Sequence, residues 1–444
     1  MLTYDLSKRN KPLYYALYLA IRADILSGKL SENEKLPSRR ELAAHLNVSE
    51  VTVNNAYLQL YAEGYIRSET RKGWFVCEVE RQPTAKLPLP EKCRPLPEKR
   101  KDLSLGSNAA LFPFSTWSKV TRKVLADEYD KLLYAAPNCG IAPLREAIAE
   151  HLARFRGMEV NSERIVIGSG AEYLYGLLVQ LLGTDCLYAL EDPSYPKIGK
   201  VYAAHNARCA YVRTDKEGIV LSELPPRTGV LHLSPLHSFP LGVVTSAARR
   251  KAALQWASEK PDRYIVEDDY DSEFRLEGKP LRTMFSADTN GCVVYMNTFS
   301  QTVAPSMRIG YMILPDGLYE KFEQTLGFYS CTVPVLDQFV LARFISEGYF
   351  ERHLSRLKKA YRQSRIDAVK NLQTLQTGIP LQTESEDAAP YLIVRAETDM
   401  SDEELKNYLA ERGFTARVLS EYYHTPNPPE HLLLLHYFAL SGTH

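Results

Sequence analysis

The chain has 444 residues, of which 45% are apolar and 24% are charged, and this composition excludes a disordered or collagen-like protein. At roughly 150 residues per domain, the length predicts about two to three domains. The 54 basic residues equal the 54 acidic residues in number, so any surface that binds nucleic acid must be local.

Cysteine usage and hydropathy indicate the compartment. The seven cysteines are scattered and form no C-x-x-C pair, so neither a disulfide framework nor a metal site is expected. Scattered thiols are typical of a reducing cytoplasm, which is the expected location. The N-terminal segment lacks the apolar run of a signal peptide, and no stretch approaches the ~18 consecutive apolar residues of a membrane helix. We therefore expect no membrane partner.

The N-terminal part of the chain begins with two predicted helices. One follows Pro12 and carries apolar residues at a four-residue spacing from Leu13 to Ile25. The other opens at Ser38, which has capping-box spacing to Glu41.

A third helix and a hairpin follow. Ser49 is placed to cap the helix, whose apolar face is formed by Val53, Ala56, Tyr57 and Leu60. Two short strands are predicted at residues 65–68 and 74–77, and the segment between them has a basic tip. Helix, helix, short turn, helix and hairpin is the outline of a winged helix-turn-helix, which we predict over residues 1–77.

This outline predicts a duplex DNA operator as a partner. In a helix-turn-helix the last helix enters the major groove with its N-terminal residues against the base edges. The side chains expected at DNA lie at the starts of the last two helices and at the wing tip: Arg39, Arg40, Ser49, Glu50, Thr52, Asn54, Arg71, Lys72 and Gly73. The alternative is a winged helix that is used only for protein contacts.

A proline-rich segment follows at residues 78–103. It contains five prolines, and from Arg81 to Lys101 there are seven basic residues and two acidic ones. Chains of this composition are extended and semi-rigid, which predicts a basic linker. The alternative interpretation is a surface loop inside a single domain.

Residues 104–444 alternate predicted strands and helices, which favours an α/β sheet covered on both faces. The strands are short and apolar, as buried parallel strands are, and are predicted at residues 164–167, 187–190, 209–212, 230–234, 263–267, 292–297 and 309–314. A long helical tract from residue 335 to about residue 375 comes next. The strand, helix and strand after it predict a smaller C-terminal α+β subdomain.

Specific motifs in both domains resemble known families. The segment LPSRRELAAHLNVSEVTVNNAYLQLYAEGYI, residues 36–66, resembles the winged-helix domain of GntR-type bacterial regulators, although Glu50 stands where many members have arginine. The large domain is similar to fold-type-I pyridoxal-phosphate aminotransferases, most specifically at EDDYDSEFR, residues 267–275, and at TFSQTVAPSMRIGY, residues 298–311. Together the two domains resemble the MocR subfamily of GntR regulators over nearly the whole chain.

The resemblance implies a pocket for pyridoxal 5'-phosphate. In the family a tyrosine, here Tyr134, reaches the phosphate across a dimer interface, which implies a homodimer. Asp268 would pair with the pyridinium nitrogen, Tyr270 with the ring hydroxyl, and Tyr195 would cover the ring. The other expected cofactor-binding residues surround the phosphate and are Gly170, Ala171, Thr298, Ser300 and Arg308.

Several positions depart from the family pattern. Gln301 stands at the place of the Schiff-base lysine, and an amide nitrogen cannot form an imine, so no catalytic residue is expected. Glu172 replaces a glutamine beside the phosphate, Leu435 stands at the place of the carboxylate-binding arginine, and Ser238 and Leu241 alter a further loop. These departures together favour natural loss of catalysis over a single engineered substitution.

Three functions follow from this pattern. We expect a DNA-binding regulator whose aminotransferase-like domain senses a small-molecule effector. That effector would be pyridoxal phosphate, an adduct of it or an amino-acid-related molecule, bound non-covalently if at all. The alternative from another class is a working pyridoxal-phosphate-dependent aminotransferase with an N-terminal DNA-binding appendage. A third possibility is a regulator that binds no cofactor and uses the large domain only for dimerisation.

Overall fold

The computed structural model describes residues 2–4, 12–79, 101–104, 109–271, 273, 281–385 and 390–441. The chain divides into two compact units, Met1–Leu96 and Pro97–His444. The predicted linker, residues 78–103, falls mainly on residues 80–100, which lie outside the described residues.

The N-terminal unit is a winged helix-turn-helix, as predicted. Its elements are α1 (Leu13–Leu26), α2 (Arg39–Leu46), α3 (Glu50–Ala62), β1 (Ile66–Glu69) and β2 (Gly73–Val76). The two strands pair antiparallel, with Ile66 opposite Val76. Apolar side chains from all three helices and both strands form one core.

Local capping fixes the ends of α2 and α3. The Ser38 hydroxyl accepts a hydrogen bond from the backbone N–H of Glu41, and the Glu41 carboxylate accepts one from the backbone N–H of Ser38. Asn47 ends α2 in the left-handed region, at a φ of 51°. Two residues later, the Ser49 hydroxyl accepts from the N–H of Thr52 at 3.1 Å. The short turn between the two helices is therefore set by side chains that the sequence places at both of its ends.

The second unit is built on an eight-stranded mixed sheet. The short strand β3 (Lys101–Asp102) comes first in this unit and lies outside the sheet. The eight strands of the sheet are β4 (Ile165–Gly168), β5 (Leu187–Asp192), β6 (Arg208–Asp215), β7 (Gly218–Ile219), β8 (Thr228–Leu233), β9 (Tyr264–Asp268), β10 (Val293–Thr298) and β11 (Gly310–Ile313). The order in the sheet is β4-β11-β10-β9-β8-β5-β6-β7. The contiguous strands from β10 to β6 are parallel, whereas β11 is antiparallel to both of its neighbours and β7 is antiparallel to β6.

Helices cover both faces of this sheet, which confirms the expected architecture. They include α4 (Phe114–Asp127), α5 (Ala142–Arg156), α6 (Ala171–Leu182), α7 (Pro196–Ala204), α8 (Ala247–Ser258), α9 (Met284–Ala287), α10 (Asp316–Leu326) and α11 (Val335–Ser346). Ile165 and Ile167 of β4 pack into a core with α4, α5 and α11, while Val166 packs into a second core with α6 and α10. Alternate residues of one strand therefore serve opposite faces.

A smaller subdomain completes the C-terminal end. Its elements are α12 (Tyr349–Leu372), β12 (Leu381–Ser385), β13 (Tyr391–Ala396), α13 (Asp402–Glu411), β14 (Phe414–Thr415), β15 (Arg417–Val418), β16 (Leu432–His436) and α14 (Tyr437–Ser441). The helical tract predicted from residue 335 is two helices, α11 and α12, because Gly348 adopts a φ of +70° between them. Within the described ranges, none of the helices combines the length and the apolar character needed to cross a bilayer.

The chain enters the second unit through the short strand β3. Lys101 lies opposite Phe414 and Asp102 opposite Thr415 in a parallel pair with β14. The N–H of Leu103 then donates to the carbonyl of Thr415 at 2.7 Å, and the Leu103 side chain is buried. The last residues of the predicted linker thus belong to the second unit.

Candidate ligand pocket and candidate DNA interface

A cavity of about 380 Å³ opens at the carboxyl ends of the parallel strands. Glu191 near the end of β5, Asp268 at the end of β9 and Thr298 at the end of β10 all line it. The carboxyl ends of parallel strands are where α/β folds place their ligand sites, so this cavity is the candidate pocket.

Most of the predicted cofactor-binding residues meet in this cavity. Its lining includes Ala171, Tyr195, Asp268, Tyr270, Thr298, Ser300 and Arg308. Gly170 lies directly beneath the Arg308 guanidinium, because a Cβ built on Gly170 would come within 2.8 Å of the Arg308 Nη2 atom. Tyr134 lies outside the lining and is 74% exposed. Its contact with a partner's pocket stays a prediction.

Asp268 is held by groups that sequence analysis missed. The Tyr175 hydroxyl donates to Asp268 Oδ2, and His232 Nε2 lies 3.4 Å from the same oxygen. The Tyr202 hydroxyl lies 2.7 Å from the other ring nitrogen of His232. Burial, followed by the charge of Asp268, raises the pKa of Tyr175 well above its usual value, so Tyr175 remains a donor. The hydrogen bond from Tyr175 engages Oδ2, so Oδ1 is the second acceptor atom of this carboxylate.

An aromatic wall lines the same cavity as Asp268 and is formed by Phe239, Tyr195, Tyr270 and Tyr391. The ring of Phe239 lies 5.7 Å from Tyr195, 6.5 Å from Tyr270 and 6.0 Å from Tyr391, measured between centroids. The Tyr270 hydroxyl is 3.2 Å from His237 Nδ1. These rings can cover a planar ligand or pack against an apolar side chain.

At the predicted phosphate site, the positive charges already have a partner. Glu172 Oε2 lies 3.0 Å from Arg308 Nη2, and Glu172 Oε1 accepts from Lys197 Nζ at 2.8 Å. The hydrogen bond from Lys197 lowers the pKa of Glu172, and the same contact raises the pKa of Lys197. Glu172 and Lys197 therefore both remain charged. With Arg308 they form a bridge in which one carboxylate pairs with two cations.

Gln301 lines the cavity beside Ser300. Among the lining residues, all of which are in the described part of the chain, Lys197 is the only lysine. Because Lys197 is ion-paired with Glu172 and held protonated, it is a poor nucleophile.

The C-terminal end of the cavity carries an arginine that sequence analysis did not single out. Arg417 of β15 lines the cavity and lies 3.4 Å from the Tyr422 hydroxyl. The Tyr422 hydroxyl and, at longer range, the charge of Asp102 raise the pKa of Arg417. Leu435, which the resemblance aligned with a carboxylate-binding arginine, is buried in the core of the C-terminal subdomain. The signal that could have found Arg417 is its place as a lone cation in the apolar segment FTARVLS.

Three buried polar atoms on the cavity wall lack a hydrogen-bond partner among the described residues. They are Glu191 Oε1, Ser194 Oγ and His232 Nε2, the last of which approaches Asp268 without hydrogen-bond alignment. Burial raises the pKa of Glu191 to about 7. Buried polar atoms without partners are costly, so this wall is suited to a ligand with polar groups.

The candidate DNA interface lies at the starts of α2 and α3 and at the wing tip. The predicted residues Arg39, Arg40, Ser49, Glu50, Thr52, Asn54, Arg71, Lys72 and Gly73 are all exposed or half-buried. Arg39 donates to the Asn54 side chain at 2.6 Å, and Lys72 pairs with Glu69 at 3.2 Å. Their contacts with DNA stay a prediction that the geometry permits.

Comparisons with known proteins cover both units. Residues 13–76 match the family described as bacterial regulatory proteins, gntR family. The chain is 35% identical over 374 residues to the uncharacterized HTH-type transcriptional regulator YdeL of Bacillus subtilis, a match covering 82% of this chain and 79% of that protein. It is 30% identical over 438 residues to the probable rhizopine catabolism regulatory protein MocR of Rhizobium meliloti, covering 94% and 88%.

The second unit shares its fold with solved aminotransferases. One is the kynurenine aminotransferase of Pyrococcus horikoshii, solved in complex with PMP, with a TM-score of 0.66 and 24% sequence identity. That match covers 77% of this chain and 87% of the aminotransferase. The predicted fold class of this unit is therefore confirmed.

Proposed function

Because the chain belongs to the MocR subfamily of GntR-type transcriptional regulators, we propose that it binds operator DNA through its N-terminal unit and senses a small molecule in the cavity of its aminotransferase-like unit. One observation carries the ligand half of this proposal. The cavity keeps Asp268 and an aromatic wall, and it has Gln301 where the resemblance places the reactive lysine. We infer that it acts in the cytoplasm, where bacterial operators are.

The unit acts as a sensor without catalysis. An amide nitrogen cannot condense with an aldehyde, so Gln301 cannot carry a cofactor covalently. Lys197 is held in its protonated form by Glu172 and cannot serve as the proton-shuttling amine. A working aminotransferase is therefore not favoured.

The cavity suits a pyridoxal-type or amino-acid-related ligand that is bound non-covalently. Asp268 is oriented by Tyr175 and offers Oδ1 to a ring N–H or an ammonium group. A protonated pyridine ring is an electron sink, and Asp268 would keep such a ring protonated. Tyr195 and Phe239 provide the ring face, and Arg417 can pair with a carboxylate.

The functional form is a homodimer formed through the second unit. Leu133 is 86% exposed, and Phe114, Tyr134 and Phe328 are exposed on the same unit. Large exposed apolar side chains commonly mark an interface. Tyr134 is also the residue that the resemblance assigns to the partner's pocket.

Selection of genomic DNA tests the proposal. The purified chain should enrich one duplex sequence from fragmented genomic DNA, and added salt should weaken that binding because phosphate contacts release counterions. A ligand should raise the melting temperature of the protein and change its affinity for the enriched duplex. If no duplex is enriched, the proposed DNA-binding function is contradicted. If the chain transfers an amino group from an amino acid to a keto acid, the proposed absence of catalysis is contradicted.

A further inference from the structure

The Glu172 carboxylate lies at a position that the resemblance places beside the ligand's phosphate. It bridges Arg308 and Lys197, and both of its oxygens are engaged, at 3.0 and 2.8 Å. Glu172 is also in the first turn of α6, where the helix dipole favours a negative charge. The carboxylate thus engages the Arg308 guanidinium, which the resemblance assigns to the phosphate.

The Arg308 guanidinium packs closely on the backbone beneath this bridge. Gly170 has a φ of +88°, and the Arg308 guanidinium lies against it, so close that a Cβ there would be 2.8 Å from Arg308 Nη2. Arg308 itself is in the left-handed region, at a φ of 47°. The guanidinium is therefore packed on the start of α6 and turned toward Glu172.

The charges around Glu172 also disfavour a phosphate group. Arg308 and Lys197 contribute two positive charges and Glu172 removes one, which leaves a net charge of +1. A phosphate monoester carries about −1.5 to −2 at neutral pH, so its arrival would leave this corner of the cavity with an excess of negative charge. Asp268 and Asp271, which also line the cavity, add to that repulsion.

The free hydrogen-bonding capacity lies elsewhere in the cavity. Glu191 Oε1 and Ser194 Oγ are buried without hydrogen-bond partners among the described residues, and the Arg417 cation also lines the cavity. These groups suit an N–H or ammonium donor and a carboxylate. A ligand can satisfy them without any contact at Glu172.

We propose that the cavity takes an unphosphorylated ligand, a small zwitterion or ring-bearing amine, and that Glu172 supplies the negative charge that a phosphate supplies in the aminotransferase fold. This inference rests on the proposed ligand-sensing function and narrows its ligand class.

Calorimetric titration of the full chain with pyridoxamine and with pyridoxamine 5'-phosphate tests the inference, because the two probes differ only in the phosphate. The amine forms also avoid the reaction of aldehydes with surface lysines. We expect the wild-type chain to bind the phosphorylated probe no more tightly than pyridoxamine. Glu172→Gln should raise the affinity for the phosphorylated probe by about tenfold, as removal of one adjacent like charge predicts, and should change pyridoxamine binding little.

The control is Glu163→Gln, the same chemical change at an exposed residue outside the cavity lining, which should alter neither affinity. Wild-type preference for the phosphorylated probe by tenfold or more would overturn the inference and leave ligand sensing intact. Absence of any gain in Glu172→Gln, with its circular dichroism unchanged, would also overturn it. The proposed function fails on different grounds, by absence of operator binding.

Discussion

The Arg40 guanidinium at the start of α2 lies 3.3 Å from the Glu50 carboxylate at the start of α3. Both side chains are largely exposed, so the pair contributes about 0–1 kcal/mol to stability. Its significance is electrostatic, because Glu50 neutralises a cation on the surface that is proposed to face DNA phosphates.

Glu50→Gln should therefore strengthen non-specific DNA binding, by about threefold to tenfold at low salt, because it removes a repelling charge and frees Arg40. Fluorescence anisotropy with a random duplex across a salt series measures both affinity and slope. Glu163→Gln in the second unit is the matched control. Weaker binding by Glu50→Gln would indicate instead that the carboxylate accepts a hydrogen bond from a base, as cytosine N4 can donate.

Arg40→Ala should weaken binding to the selected duplex by about 1–3 kcal/mol, the range of a base contact or a close phosphate pair. A loss that is equal on selected and random duplexes would assign Arg40 to phosphate, and a larger loss on the selected duplex would assign it to a base. Lys119→Ala, at an exposed residue of α4, serves as the control. Unchanged binding by Arg40→Ala would remove this residue from the interface.

Covalent attachment of pyridoxal phosphate should need two changes. We expect no borohydride-fixed pyridoxyl label at residue 301 of the wild-type chain, because an amide cannot form an imine. Gln301→Lys alone should label poorly because Glu172 opposes the phosphate, and Gln301→Lys combined with Glu172→Gln should label well. Mass spectrometry of the reduced protein locates the label. Full labelling of the single variant would show that Glu172 does not oppose phosphate.

The buried acid Glu191 should make stability depend on pH. Burial raises its pKa from 4.5 to about 7 in the folded chain, so the folded state holds a proton that the unfolded state releases. Stability therefore falls as pH rises through this window and is lowest above it. Glu191→Gln should flatten this part of the profile, by up to about 3 kcal/mol. Urea unfolding across pH measures the difference, and parallel profiles for the two proteins would refute it.

Leu133→Asp should shift the chain toward monomer, because it places a charge on an apolar surface that we propose to be the dimer interface. Light scattering at micromolar concentration reports the mass. Leu58→Asp, at an exposed apolar residue of the N-terminal unit, should leave the mass unchanged. A wild-type monomer under the same conditions would contradict the homodimer itself.

Sequence patterns predicted the winged helix closely because its signals are local. Ser38, Glu41 and Ser49 cap helices through contacts of three residues or fewer, and those contacts are present in the structure. In the large unit, the strands were predicted within a few residues, but the antiparallel direction of β11 was not. Direction depends on how the chain returns across the sheet, which periodicity does not encode.

The part of the candidate site that the sequence predicted is again the part with local signals. Asp268 and Arg308 belong to contiguous motifs, whereas Tyr175, His232 and Arg417 reach the cavity from elements distant in sequence. His232 is a polar residue inside the apolar strand β8, which is a usable signal. The pairing of Glu172 with Lys197 and Arg308 depends on three separate segments and could only be found in three dimensions.

The parallel pairing of β3 with β14 has a mechanical consequence. Thr415 accepts the hydrogen bond of Leu103 at the point where the chain enters the second unit, and Arg417 of the cavity is only two residues further along. Under the proposed ligand-sensing function, a ligand that displaced Arg417 would pull on the strand pair at which the chain enters the second unit. Arg417 in the cavity is thus separated from Leu103 by two residues of backbone and one hydrogen bond of the strand pair.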